Sequence, residues 1–76
     1  MVTYENQSPA DIRIGDVVTD SFGRTFIAFS DSVLEMGDYQ VLGIDGNGNE
    51  KWFAIDPNSL VAISYDESMW TEDTYA

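Results

Sequence analysis

Between positions 39 and 55 the chain reads Tyr39-Gln40-Val41-Leu42-Gly43-Ile44, Asp45-Gly46-Asn47-Gly48-Asn49, Glu50, then Lys51-Trp52-Phe53-Ala54-Ile55. The outer runs are rich in β-branched and aromatic residues, which suit a pleated surface. The middle holds only Asp, Asn and Gly, which tolerate left-handed backbone, so the whole reads as a β-hairpin.

Working outward, the same grammar repeats. Thr25-Phe26-Ile27-Ala28-Phe29 is the densest strand signal, and Ser21-Phe22-Gly23 before it is a turn. Val17-Val18 begins a strand after a turn at Gly15. Downstream, Asp56-Pro57-Asn58-Ser59 predicts a tight, 3₁₀-like turn, and Leu60-Val61-Ala62-Ile63-Ser64 a last short strand. Residues 30–37 read either as an acidic loop or as one helical turn capped by Asp31 or Ser32. Residues 1–10 read as a polar lead-in and 66–76 as an acidic aromatic tail. The body, 11–65, is expected to be all-β, a five-stranded small barrel, since closure removes strand edges that so short a chain cannot otherwise cover.

Period-two alternation places Leu42 with Ile44, Phe53 with Ile55, and Ile27 with Phe29 in the core. Trp52 and Tyr39 then point outward as candidate anchors, unless curvature buries part of both faces.

Charge bounds the function. Fourteen Asp and Glu against three Lys and Arg give a net charge of −11 at pH 7. Such a surface repels phosphate backbones and anionic membranes, so neither nucleic acid nor membrane is an expected partner. A basic protein surface is favoured. No cysteine is present, so no disulfide framework or thiolate site is expected. No basic-then-apolar leader opens the sequence, and a cytoplasmic location is the expectation (host cytoplasm for a viral protein).

The order Ile14-Gly15-Asp16-Val17-Val18, a variable excursion, a central glycine-turn hairpin, then Asp56-Pro57-Asn58-Ser59-Leu60 before a last strand resembles an SH3-like barrel over residues 11–65. The resemblance is one of layout. Peptide-binding SH3 domains carry an Ala-Leu-Tyr-Asp-Tyr-type stretch for proline-rich ligands. The corresponding stretch here lacks those aromatics, so that ligand class does not carry over.

The absence of both His and Cys removes the usual general base and thiol nucleophile, and no enzyme activity or cofactor is expected. Asp45-Gly46-Asn47-Gly48-Asn49 resembles the opening of an EF-hand loop, with Asp56 at the closing position. Glu50 stands where that loop needs Gly, Asp56 replaces the bidentate Glu, and strands flank the loop in place of helices, so a hairpin turn is expected and no metal.

Two partner-binding classes lead, beside a third reading in which excess acid and scarce lysine adapt the surface to high salt. In size, charge and lack of cysteine the chain resembles small virus-encoded antagonists of host DNA enzymes. Fourteen carboxylates carry the charge of roughly seven base pairs, at one charge per ~1.7 Å of duplex. That resemblance implies an inhibitor mimicking nucleic-acid charge in the DNA-binding channel of a host enzyme such as DNA gyrase, a uracil glycosylase, a nuclease or RNA polymerase. The expected contact residues are Asp31, Glu35 and Asp38 in mid-chain and Asp66, Glu67, Trp70, Glu72 and Asp73 in the tail. The alternative is an SH3-like adaptor or assembly module, binding a partner protein through an aromatic patch of Tyr39, Trp52 and Trp70.

Overall fold

The computed structural model describes residues 2–65. Seven strands and one 3₁₀ turn make up that span: β1 (Val2–Gln7), the 3₁₀ turn Pro9–Asp11, β2 (Val17–Thr19), β3 (Thr25–Ala28), β4 (Val33–Glu35), β5 (Asp38–Asp45), β6 (Glu50–Ile55) and β7 (Val61–Tyr65). The fold is all-β, a single curled sheet compatible with a small-barrel layout. All pairings are antiparallel. The order runs β1-β7-β2-β3-β5, with β6 along the far side of β5 and β4 beside its N-terminal half. No helix among the described residues is long and apolar enough to cross a membrane.

The count of seven corrects the expected five. Residues 2–7, read as lead-in, form β1 against β7, although the strand is mostly exposed and carries a bulge between Tyr4 and Gln7. Residues 33–35 form β4, not a loop or a helical turn. The 3₁₀ turn falls at Pro9–Asp11 instead of at Asp56: Ser8 caps it, Pro9 sits at its start, and it delivers the fully buried Ile12 into the core. At Asp56-Pro57-Asn58-Ser59 the chain makes a simple turn, the Ser59 amide donating to the Asp56 carbonyl.

The core comprises Ile12, Val18, Phe26, Ala28, Val41, Phe53, Ile55, Val61 and Ile63. Phe53 and Ile55 lie inside, as alternation predicts. For β3 and β5 the phase is the reverse of expectation: Phe26, Ala28 and Val41 are inside, while Ile27 and Phe29 are exposed and Leu42 and Ile44 half-buried. Tyr39, expected outward, packs half-buried against the core. The physical reason is volume. Phe26 and Phe53 stack with centroids 3.9 Å apart and planes 11° apart. Gly43, on the same face, leaves them room; a Cβ there would lie 2.6 Å from Phe26 Cδ2 and 3.2 Å from Phe53 Cε1. A tightly curled sheet can hold one such stack over Gly and Ala, but not the bulkier Ile and Leu set.

Three hairpin or turn connections share one device. Asp20 Oδ1 accepts the amides of Phe22 and Arg24, at 3.0 and 2.9 Å. Asp45 Oδ1 accepts those of Asn47 and Asn49, at 2.9 and 3.0 Å. In both turns the fourth residue is a glycine with positive φ, Gly23 or Gly48, whose amide donates to the Asp carbonyl. Asp56 Oδ1 accepts the Asn58 amide at 2.8 Å in the third.

Candidate functional site

Register assigns side chains to faces, because residues directly opposite in a ladder share one. Val17, Ile27, Ile44 and Glu50 form one row on the outer face, running across β2, β3, β5 and β6. Leu42 and Trp52 form the next, and Val33, Gln40 and Ala54 a third. Phe29 joins them one residue past β3, its amide donating to the Leu42 carbonyl at 2.7 Å. The result is a band of large apolar side chains on the solvent side of the sheet. Trp52 is 63% exposed, and Ile27, Phe29 and Val33 are each about half exposed. Single exposed apolar residues are ordinary, whereas a contiguous band is the kind of surface on which a partner can dock.

Carboxylates bound the band. Glu50 ends the Val17–Ile27–Ile44 row, while Glu35 and Asp38 face each other at the end of the β4–β5 hairpin. Like charges directly opposite destabilise a sheet. The turn between them, Met36-Gly37, has positive φ at both residues, 53° and 85°, as a type I′ hairpin requires. Asn would sit there at little cost, whereas left-handed backbone costs an ordinary L residue about 1–2 kcal/mol. Met36 is also 96% exposed. Glu35, Met36, Gln40 and Trp52 together line a hollow of about 300 Å³ on this side. An unfavourable charge pair, a strained backbone and an exposed thioether thus meet at one end of the apolar band.

Of the residues expected to bind a partner, Glu35 and Asp38 are brought together here. Asp31 is elsewhere: its Oδ1 accepts the Ile14 amide at 2.9 Å, tying residue 31 to the turn after Ile12. Asp66, Glu67, Trp70, Glu72 and Asp73 lie outside the described residues. Trp52 faces outward as expected. Alternation predicts Ile27, Phe29, Leu42 and Ile44 inward; they lie on the candidate face instead. Met36-Gly37 between two acids was the one local sign of a two-residue turn at this end, since Gly in its second position tolerates positive φ.

Much of the acidity is architectural. Four of the fourteen acids fall in 66–76, leaving ten among the described residues. Five of those ten, Asp16, Asp20, Asp31, Asp45 and Asp56, have a carboxylate oxygen accepting backbone amides. Asp45 also pairs with Lys51 at 3.5 Å, so the EF-hand-like stretch is a turn whose carboxylate is already engaged. Among the described residues no three acids gather into a metal-binding group. A second hollow, about 280 Å³, lies between Tyr4, stacked on Tyr65, and the Arg13–Asp16 turn. Two of its charged groups are held internally: Arg13 Nη1 donates to the Ala10 and Ile12 carbonyls, and Asp16 Oδ2 accepts the Arg13 amide.

Two of these acids are shifted in opposite directions, and stability is expected to depend on pH accordingly. Burial pushes the Asp16 carboxyl above its ordinary value of 3.8, against the pull of the Arg13 amide and charge, and the Asp31 charge adds to the rise. Its stabilising contribution is therefore full below 3.8 and lost as pH rises through the folded value. Asp45 is shifted down, chiefly by the Asn49 amide, then by the Asn47 amide and Lys51. Its contribution is full above 3.8 and lost as pH falls through the lowered value. Self-repulsion from the net charge also eases on acidification. The thermal midpoint is expected to be highest on the acid side, near the ordinary carboxylate value of 3.8, and to fall on both sides. In Asp16→Asn, whose amide oxygen still accepts the Arg13 N–H, the midpoint near neutral pH should rise and the fall above the peak should flatten. A wild-type midpoint climbing steadily from the acid side to neutrality would refute this.

No protein-family model matches the chain, and no curated protein or solved structure matches it.

Proposed function

We propose that this chain is a protein-binding module of SH3-like layout, not an enzyme, that docks a partner protein on its outer sheet face. The observation that carries the reading is the contiguous band of Ile27, Phe29, Leu42, Ile44 and Trp52, exposed or half-buried and ending in Glu50, Glu35 and Asp38. Trp52 is the anchor, because a central Trp is the commonest kind of interface hot spot. The acids select a partner with Lys or Arg around an apolar contact and steer its approach. With Met36 strained at the rim, stability is sacrificed for shape where a partner would touch.

A second reading, inhibition by mimicry of nucleic-acid charge, is favoured by Glu35 and Asp38 facing each other with no ion pair to a cation among the described residues. In it those two, Asp31 and the acids of 66–76 would stand in for phosphates within the channel of a DNA-handling enzyme.

Affinity capture on the immobilised protein, at about 0.1 M and about 1 M salt, separates the two, because the Debye length falls from about 10 Å to about 3 Å. The docking face predicts one partner retained at high salt and lost with Trp52→Ala, by a factor of about 30 or more. Met36→Asn should raise stability by about 1 kcal/mol and weaken that same partner. Charge mimicry predicts a DNA-handling enzyme that elutes as salt rises, tolerates Trp52→Ala and is lost when Glu35 and Asp38 are reversed to Lys.

A further inference from the structure

The sheet has an open edge whose hydrogen-bonding groups can be assigned. In an antiparallel pair, residues directly opposite alternate between exchanging two backbone hydrogen bonds and exchanging none. Leu42 directs both its groups away from β6: its amide donates to Ser30 Oγ at 3.0 Å, and its carbonyl accepts the Phe29 amide at 2.7 Å. Leu42 and Trp52 are therefore a non-bonded pair, as are Ile44 with Glu50 and Gln40 with Ala54, two positions either way. Across the adjoining turn the Asp45 amide donates to the Asn49 carbonyl, which fits the same alternation. It follows that Glu50, Trp52 and Ala54 turn their N–H and C=O outward, away from β5. Among the described residues β6 pairs only with β5. On its outer side one contact is made: Arg24 Nη2 donates to the Ala54 carbonyl at 3.4 Å.

Open edges are normally blunted by bulges, proline, brevity or inward-pointing charge. β1 has its bulge and β4 is three residues long. β6 has six residues, no proline and no bulge in its pairing with β5; its one blunting charge is Lys51, which shares the inner face with Phe53 and lies 5.3 Å from that ring's centroid, away from the outer face of Trp52. Arg24 closes the edge at Ala54 and, among the described residues, nothing covers the outward groups of Trp52 and Glu50. The Trp52 side chain stands on the outer face directly above them.

We infer that this edge of β6 receives an extended segment of the partner protein as an added antiparallel strand. An apolar side chain of that segment lies opposite Trp52, and a Lys or Arg two positions away lies opposite Glu50. The inference rests on the docking reading above and specifies its form: main-chain bonds to Trp52 and Glu50 supply affinity, and the side chains that share the outer face supply selection. Charge complementarity chooses this occupant. A second copy would bring another eleven net negative charges to the edge, and residues 66–76 carry four acids and no base. A basic strand meets neither penalty.

The test is amide hydrogen exchange on the full chain, with the acetylated peptide Thr-Lys-Thr-Val-Thr-Lys-Thr as probe. Alone and dilute, the Glu50 and Trp52 amides are expected to exchange about a hundredfold faster than those of Lys51 and Phe53, which bond to β5. Saturating peptide should slow Glu50 and Trp52 by about tenfold or more. The same peptide N-methylated at Val, unable to donate opposite Trp52, should have no such effect. Protection already present in the dilute full chain would overturn the inference by showing the edge covered in cis. Protection that grows with protein concentration would overturn it in favour of a second copy. A peptide that shifts Trp52 fluorescence while leaving its amide exchange unchanged would overturn strand addition alone, with docking on the outer face intact. No response to peptide at millimolar concentration would also overturn it.

Discussion

The substitution Gly43→Ala is expected to lower stability by about 2–3 kcal/mol, close to the upper range for overpacking a core. In a domain of this size that amounts to roughly 10–20 °C in thermal midpoint. Gly43 has no unusual φ, so the cost does not come from backbone conformation. It comes from the stacked rings of Phe26 and Phe53: an added Cβ at 2.6 Å from Phe26 Cδ2 forces one ring to move, with the Ile27 carbonyl only 3.2 Å away on the other side. Both rings are almost completely buried and have nowhere to shift without breaking the stack. Gly43→Val should leave the chain largely unfolded at ambient temperature, since small domains have only a few kcal/mol in hand. Pairing Gly43→Ala with Phe26→Leu makes room for the methyl, and the double variant should be less damaged than the two single losses summed. A midpoint unchanged in Gly43→Ala would show that the rings do not stack over residue 43.

Asp20→Ala is the second large effect, at about 2–4 kcal/mol, because two turn amides lose their acceptor while the half-exposed Arg24 is left to solvent. The Asp20 side chain is 1% exposed and ion-paired with Arg24 through Nε. The same carboxylate accepts the Phe22 and Arg24 amides, so one truncation strips the β2–β3 turn of three acceptor contacts. It also frees the Arg24 guanidinium, which lies 5.5 Å from the Phe22 ring centroid, 5.6 Å from that of Phe53, and caps the end of the β6 edge. Asp20→Asn retains an oxygen for both amides and loses only the charge, so it should cost about 1–2 kcal/mol. Equilibrium denaturation of the pair measures the difference. Equal losses in the two variants would mean that charge, not the amide contacts, holds this turn. Asp45→Ala, in the twin turn, should cost less than Asp20→Ala because its carboxylate lies nearer solvent.

These two positions also mark how far sequence reading reached. Asp20 and Asp45 each stand three residues before a glycine, and the turns they close were legible because turn chemistry is local: one carboxylate, the next few amides and a glycine at positive φ. Gly43 was legible only as a break in a strand pattern. Its role depends on Phe26 and Phe53, which approach it from two other strands. The same dependence misassigned Ile27, Phe29, Leu42 and Ile44. When both faces of a strand are apolar, period-two alternation gives two equivalent answers, and choosing the bulkier set fails where the inner face is tightly curved. β1 was missed for the opposite reason: Thr3, Tyr4, Glu5 and Asn6 are exposed, so no apolar stripe announces a strand that exists because β7 offers it an edge.

From its residues alone, then, this protein is an acidic all-β chain with turns at known positions and no histidine or cysteine chemistry, because composition and turn-forming groups act within a few bonds of themselves. Which face of β3 and β5 turned to solvent, that Glu35 and Asp38 came to face each other, and that β6 was left with an open edge beside Trp52 were settled only on folding. The first follows from one long-range event, the Phe26–Phe53 stack filling the space over Gly43 and forcing the larger aliphatic side chains outward; the other two follow from which strands pair.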